Sequence, residues 1–131
     1  MGPDRVTTLV LDAGAFLAVE RDDRTTVARL RVAEQEGIGL RTTGIVVAQI
    51  WRDGGRQARL ARLLRAVDVR PVDEQLGRDA GLLLGRAGTS DPADATVVLV
   101  AGRGDRILTS EPEDIRRLAE GADRRVTVVP C

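Results

Sequence analysis

Four carboxylates in this sequence stand where apolar runs begin or end. VTTLVL at 6–11 is followed by Asp12, ILTS at 107–110 by Glu111, and Asp91 and Asp94 open an apolar stretch from Ala95 to Ala101. A short β-branched run reads as a buried strand. When a carboxylate and a helical segment follow it directly, the pattern is that of a site at the carboxyl edge of a parallel sheet. The chain has no histidine, so such a site would offer oxygen ligands, which suit a hard divalent cation. The chemistry this favours is metal-assisted phosphodiester cleavage. A bound cation lowers the pKa of its water and offsets charge on the phosphate, so no histidine base is needed.

Each acid also has a local explanation. Asp12 directly after LVL would be costly in a core, whereas at the mouth of a sheet it is either a metal ligand or the N-cap of AGAFLAVE. Asp91 and Asp94 are three apart and share one helix face. Asp91 as N-cap and Asp94 at the third helical position would already complement the helix dipole without any metal. Glu111 precedes Pro112 at another strand-to-helix junction, where it is either a ligand or a first-turn acid beside a capping box of Ser110 and Glu113. Asp22, Asp23, Asp53, Asp73 and Asp105 fall in polar turns and are expected to be solvated.

Absent residue types exclude other chemistries. Without histidine there is no Ser-His-Asp triad and no His-ligated zinc. Lysine is missing too, and all twenty positive charges are arginine, which removes Schiff-base chemistry and a Walker-type phosphate loop. Phe16 and Trp51 are the only aromatics, so a base-stacking RNA platform is excluded. An aspartyl-phosphate phosphatase would need a second Asp at position 14, where this chain has Gly14, and a lysine. Twenty acids balance twenty arginines, so nucleic-acid binding would require a local patch. Cys131, the single cysteine, makes no internal disulfide and reads as a frayed end. The start MGPDRV lacks the layout of a signal peptide and no apolar run approaches twenty residues, so the expected location is the cytoplasm, away from membranes.

At 131 residues the chain is expected to form one domain. Strand and helix signals alternate along it. Strands are expected at VTTLVLD (6–12), IGLRT (38–42), VDVRPV (67–72), RILTS (106–110) and RVTVVP (125–130). Helices are expected at AGAFLAVE, Thr25–Glu36 with Gly37 as stop, IVVAQIW, Gln57–Ala66, Asp73–Arg86, the segment opened by Asp91 and Pro92, and EPEDIRRLAEG. The order β-α-α-β-α-α-β-α-α-β-α-β implies a mostly parallel sheet with helices on both sides.

With those elements in place, LVLDAGAFLAVE, GIVVAQIWRDGG, GTSDPADATVVLVA and ILTSEPEDIRRL, in this order, resemble a PIN domain of the VapC-like toxin group, in a subgroup typical of actinobacteria. The resemblance covers nearly all of residues 1–131. It implies a three-layer α/β/α sandwich and Mg²⁺- or Mn²⁺-dependent cleavage of RNA. It also implies a homodimer and an antitoxin partner whose tail covers the acidic site. Asp12 matches the family's first acid, Asp94 the acid of its Asp-Ala motif, and Asp91 an acid common three residues earlier in the subgroup. Two positions depart from the pattern: Gln49 stands where many PIN domains carry Glu, and Glu111 where an Asp is usual. A glutamine amide gives up a full negative charge, and glutamate keeps it on a longer arm; Mg²⁺, with its strict octahedral geometry, is sensitive to both.

Arg52, Arg56, Arg59, Arg62 and Arg65 surround one short helix opposite its leucines. They form either a solvated face or a patch for RNA phosphates or antitoxin carboxylates. Trp51 reads as a core or dimer residue. Two function classes follow: a toxin-type endoribonuclease using Asp12, Asp91, Asp94 and Glu111, or a PIN-fold interaction module that has lost catalysis through Gln49 and Glu111.

Overall fold

The computed structural model describes residues 8–131. Its element order is the one expected: β1 (Thr8–Leu11), α1 (Ala13–Glu20), α2 (Arg24–Gln35), β2 (Gly39–Thr43), α3 (Gly44–Ile50), α4 (Ala58–Leu64), β3 (Val67–Arg70), α5 (Glu74–Ala87), α6 (Pro92–Leu99), β4 (Arg106–Thr109), α7 (Pro112–Gly121) and β5 (Thr127–Pro130). Residues 6 and 7 of the first expected strand lie outside the described residues. β3 ends before Pro71, whose missing N–H cannot continue a ladder. α2 stops where Gly37 takes a φ of +71°, a left-handed turn that costs glycine little.

All strand pairs are parallel, in the order β3-β2-β1-β4-β5. β1 and β4 are neighbours, with Leu11 opposite Leu108. The chain builds outward from β1 through β2 to β3, then returns to place β4 on the other side of β1. This reversal is the topological switch point at which open α/β sheets bind ligands, outside the strands' carboxyl ends. Asp12 and Glu111 follow the two strands that flank it. Helices pack on one another in two groups, α1 with α2, α3 and α4, and α5 with α6 and α7, joined where α3 meets α6, giving the three-layer α/β/α sandwich.

The core is aliphatic apart from Phe16. Val10, Leu11, Ile107 and Leu108 from the central strands are fully buried, as are Phe16, Leu60, Ile115 and Leu118 from the helices. Among the described residues no helix is long and apolar enough to cross a membrane.

The structure corrects three local expectations. Asp105 is not solvated: it is 5% exposed, accepts a 2.7 Å hydrogen bond from the Gly102 N–H and lies 3.9 Å from the Arg41 guanidinium. Those donors compensate the buried charge. Trp51 is not core; it is partly exposed and lies against Gly54, where an added Cβ would come within 2.9 Å of the indole. Cys131 is exposed but not frayed, since its N–H donates to the Thr109 carbonyl at 2.9 Å and extends the β4–β5 pairing.

Candidate metal centre

Asp12 turns the end of β1 into the start of α1. It is 2% exposed, and its Oδ1 accepts the Ala15 N–H at 2.9 Å, so the N-cap role is real. Oδ2 takes two more donors from β4 and the residue beyond it, the Thr109 hydroxyl at 2.5 Å and the Ser110 N–H at 3.2 Å. Burial raises the Asp12 pKa, opposed by the hydrogen bonds from Thr109, Ala15, Ser110 and Gly14.

Ser110 does not form the expected capping box. The N-cap of α7 is Glu111, whose side chain makes no capping bond. Ser110 instead gives its N–H to Asp12 and packs against Gly14, where an added Cβ would lie 2.0 Å from Ser110 Oγ. No side chain fits at Gly14 unless the β4–α7 junction moves. Gly14→Ala is therefore expected to push Ser110 off Asp12 and lower stability by about 1–3 kcal/mol. Thermal unfolding of the two chains checks this, and an unchanged midpoint would mean that the junction yields freely.

α6 brings in the other pair. Asp91 is its N-cap, accepting the Ala93 and Asp94 N–H groups at 2.9 and 3.3 Å, and Pro92 occupies the first turn. Every residue from Ala93 to Val98 is buried. The helix is also held by the Thr96 hydroxyl, which donates to the Ala93 carbonyl at 2.8 Å and lies 2.9 Å from the Thr43 hydroxyl at the end of β2. Asp94 is thereby fixed with only 5% of its surface exposed. Its Oδ2 is buried and has no hydrogen-bond partner.

One carboxylate oxygen from each of Asp91, Asp94 and Glu111 lies within 4.8 Å of the other two. The result is electrostatically unfavourable without a cation. Burial first, then the charges of Asp91, Glu111, Asp12 and Asp114, push the Asp94 pKa up to about 7. Glu111 is also raised, by desolvation, by a hydrogen bond with Asp114 and by the charges of Asp114, Asp91 and Asp12. Like-charged groups crowded into a half-buried pocket shift in this direction. Asp12 stands outside the three-acid group but within the same field.

An orphaned, buried carboxylate oxygen beside two other carboxylates fits a divalent cation. The donor set is all oxygen, the geometry is compact, and the unsatisfied acceptor needs a positive partner. Asp91, Asp94 and Glu111 could hold such an ion.

Sequence spacing missed Asp114. It lies three residues beyond Glu111, the same separation that singled out Asp91 and Asp94, and that rule would have found it. Thr109 was missed as well. Its hydroxyl donates to Asp12 and accepts the Glu111 N–H at 2.8 Å, linking two acids through one buried side chain; nothing local in ILTS marks it. Gln49 is exposed on α3. The arginines are exposed and partly engaged: Arg52 donates to the Ala48 and Trp51 carbonyls, Arg56 lies 3.8 Å from Asp53 and Arg59 lies 3.9 Å from Asp22.

No protein-family model matches the sequence, and no curated protein is significantly similar to it. Among solved structures, the fold is similar to a chain in the crystal structure of VapBC2 from Rickettsia felis bound to a DNA fragment from their promoter. The TM-score is 0.68 over 93% of this chain and 98% of that one, at 11% sequence identity. At that identity the likeness establishes the fold, the PIN-like α/β/α sandwich, and nothing finer.

Proposed function

We propose that this chain is a metal-dependent endoribonuclease of the VapC toxin type, hydrolysing RNA phosphodiester bonds at the carboxyl edge of its sheet. The observation that carries this reading is the Asp91, Asp94 and Glu111 group around the unpartnered Asp94 Oδ2. The likeness to a chain of a VapBC complex supports it. In this proposal the chain acts in the cytoplasm as a homodimer and is held by an antitoxin protein whose tail covers the acids; that the similar chain comes from a VapBC complex supports the antitoxin partner.

The ion would be Mg²⁺ or Mn²⁺, held by Asp94, Asp91 and Glu111. When bound, it supplies a water of lowered pKa and positive charge beside the scissile phosphate. The protein's contribution is position. Asp94, immobilised in α6, gives up its proton as the site fills. Asp12 completes the acid set, its carboxylate oriented by the Ala15 N–H, the Thr109 hydroxyl and the Ser110 N–H. With no histidine or lysine in the chain, a carboxylate would have to take the proton of an attacking water, and Glu111, the exposed member of the group, is the accessible one. Arg52, Arg56 and Arg59 are proposed to meet RNA phosphates or antitoxin carboxylates, as arginine forks do.

A second reading, an interaction module without catalysis, is favoured by the neutral Gln49 and the longer Glu111. The experiment that decides is a single-turnover cleavage assay on a mixed RNA pool with Mg²⁺ or Mn²⁺, comparing the natural chain with Glu111→Asp and Gln49→Glu. An arm about 1 Å too long can cost on the order of 10²-fold in rate. Glu111→Asp is therefore expected to speed cleavage by up to that factor, and Gln49→Glu to tighten metal binding. Manganese should support more activity than magnesium, since oxygen ligands suit it and its geometry is less strict. Slower cleavage by Glu111→Asp would mean that the glutamate is an adapted ligand. Cleavage by none of the three would leave the interaction module standing.

A further inference from the structure

Apart from Asp94 and Thr96, the buried stretch of α6 from Ala93 to Val98 is alanine and valine. Side chains this small pack at similar cost in more than one axial position along a neighbouring surface. A metal ligand tolerates much less, since its oxygen has to be held within about 0.5 Å of the productive geometry. Something other than aliphatic packing has to fix the height of α6, and β2, on which it packs, supplies it.

Two residues of that strand hold the helix at two points. Thr43 and Thr96 are both fully buried, with their hydroxyl oxygens 2.9 Å apart. A hydroxyl has one proton to give. Thr96 gives its own to the Ala93 carbonyl, so Thr43 is the donor to Thr96, and the chain of bonds ends on the turn that carries Asp94. Thr43 is the N-cap residue of α3 yet makes no capping bond there, although threonine is a preferred cap; its hydroxyl serves α6 instead. Arg41, two residues earlier, donates from its guanidinium to the Val100 carbonyl at the other end of α6, at 2.9 Å. Asp68, at 3.2 Å, and Asp105, at 3.9 Å, hold that guanidinium in place. Residues two apart on a strand share a face and lie about 6.6 Å apart. Thr96 and Val100 are one helical turn apart, about 6 Å along the axis. The two spacings match, so the strand and the antiparallel helix engage at both points in one register only.

We infer that Arg41 and Thr43 are positioning residues of the acidic centre: from one face of β2 they set the axial position of α6, and with it the place of the Asp94 carboxylate beside Asp91 and Glu111. Hydrogen bonds have a fixed length and direction, so they select one position where alanine and valine alone would accept several. The inference rests on the metal-dependent reading in taking those three acids as the ligands of the ion.

The test is Mn²⁺ calorimetry at pH 8 with thermal unfolding in EDTA, on the full-length chain and three variants. The double variant Thr43→Val, Thr96→Val replaces both hydroxyls by methyl groups, so neither is left buried and unpaired, and it should unfold near the natural temperature. Its Mn²⁺ affinity should nevertheless fall by at least about tenfold, as when a group that orients a ligand is lost. Thr43→Ser keeps the donor and should bind within about twofold of the natural chain. Arg41→Lys leaves a positive charge beside Asp105 but lacks the fork that reaches Asp68 and the Val100 carbonyl together, and should weaken binding by at least about tenfold. Natural affinity in the double variant or in Arg41→Lys would overturn the inference while leaving the metal centre standing. A double variant that no longer folds would overturn it too, by making the hydroxyl pair a stability feature, as would Thr43→Ser binding as weakly as the double variant. A natural chain that binds no Mn²⁺ would remove the metal-dependent reading, and the inference with it.

Discussion

Asp94→Asn is expected to lower Mn²⁺ affinity by at least about 100-fold while leaving the metal-free chain more stable than the natural one at pH 8. Both effects have one cause. Asp94 is a carboxylate locked into a buried helix, with one oxygen lacking any partner and four other acids raising its pKa. Replacing it with the neutral isostere removes the ligand and the repulsion together. The stabilisation should be about 1–3 kcal/mol at pH 8, once the burial cost of the charge is gone. Calorimetry with Mn²⁺ reads the first effect and thermal unfolding in EDTA the second. A variant that binds Mn²⁺ as tightly as the natural chain would reduce Asp94 to a helix-dipole residue and remove the centre of the proposed site. Loss of affinity together with loss of stability would instead point to a fold that depends on Asp94 for packing.

The second large effect is a pH dependence that reverses with metal. Asp94 titrates at about 7 in the folded chain against an ordinary value of 3.8. Between those values the native state keeps a proton that the unfolded chain has lost. Metal-free stability through this group is therefore greatest below about pH 4, declines as the pH rises to about 7, and levels off above it. The raised pKa values of Asp12 and Glu111 act in the same direction. A divalent ion binds the deprotonated carboxylates, so apparent metal affinity should instead rise with pH, by up to about tenfold per unit for a single proton released below pH 7. With saturating Mn²⁺ the decline in stability between pH 5 and 7 should flatten or invert. Unfolding midpoints across pH 4.5–8.5, in EDTA and in Mn²⁺, check this. Parallel curves for the two conditions would show that no ion enters among these carboxylates.

The order and type of the twelve elements were legible in the sequence because they follow from local periodicity and punctuation. LVL before Asp12, Pro92 after Asp91, and Gly37 after the α2 pattern report relations among residues a few positions apart. The acids at strand ends were legible for the same reason. What the sequence could not express is which of those ends meet. Asp91 and Glu111 are brought within 4.8 Å, and Thr109 reaches Asp12 across 97 positions, because β4 returns to lie beside β1. That adjacency depends on the burial of both strands' faces at once, not on any local signal. The same long-range packing decided that Ser110 serves Asp12 instead of a capping box, that Asp105 is buried under Arg41, and that Asp114 joins the acidic field. Local pattern therefore determined the parts and the residues able to do chemistry, while tertiary packing decided which of them meet and how much repulsion they bear.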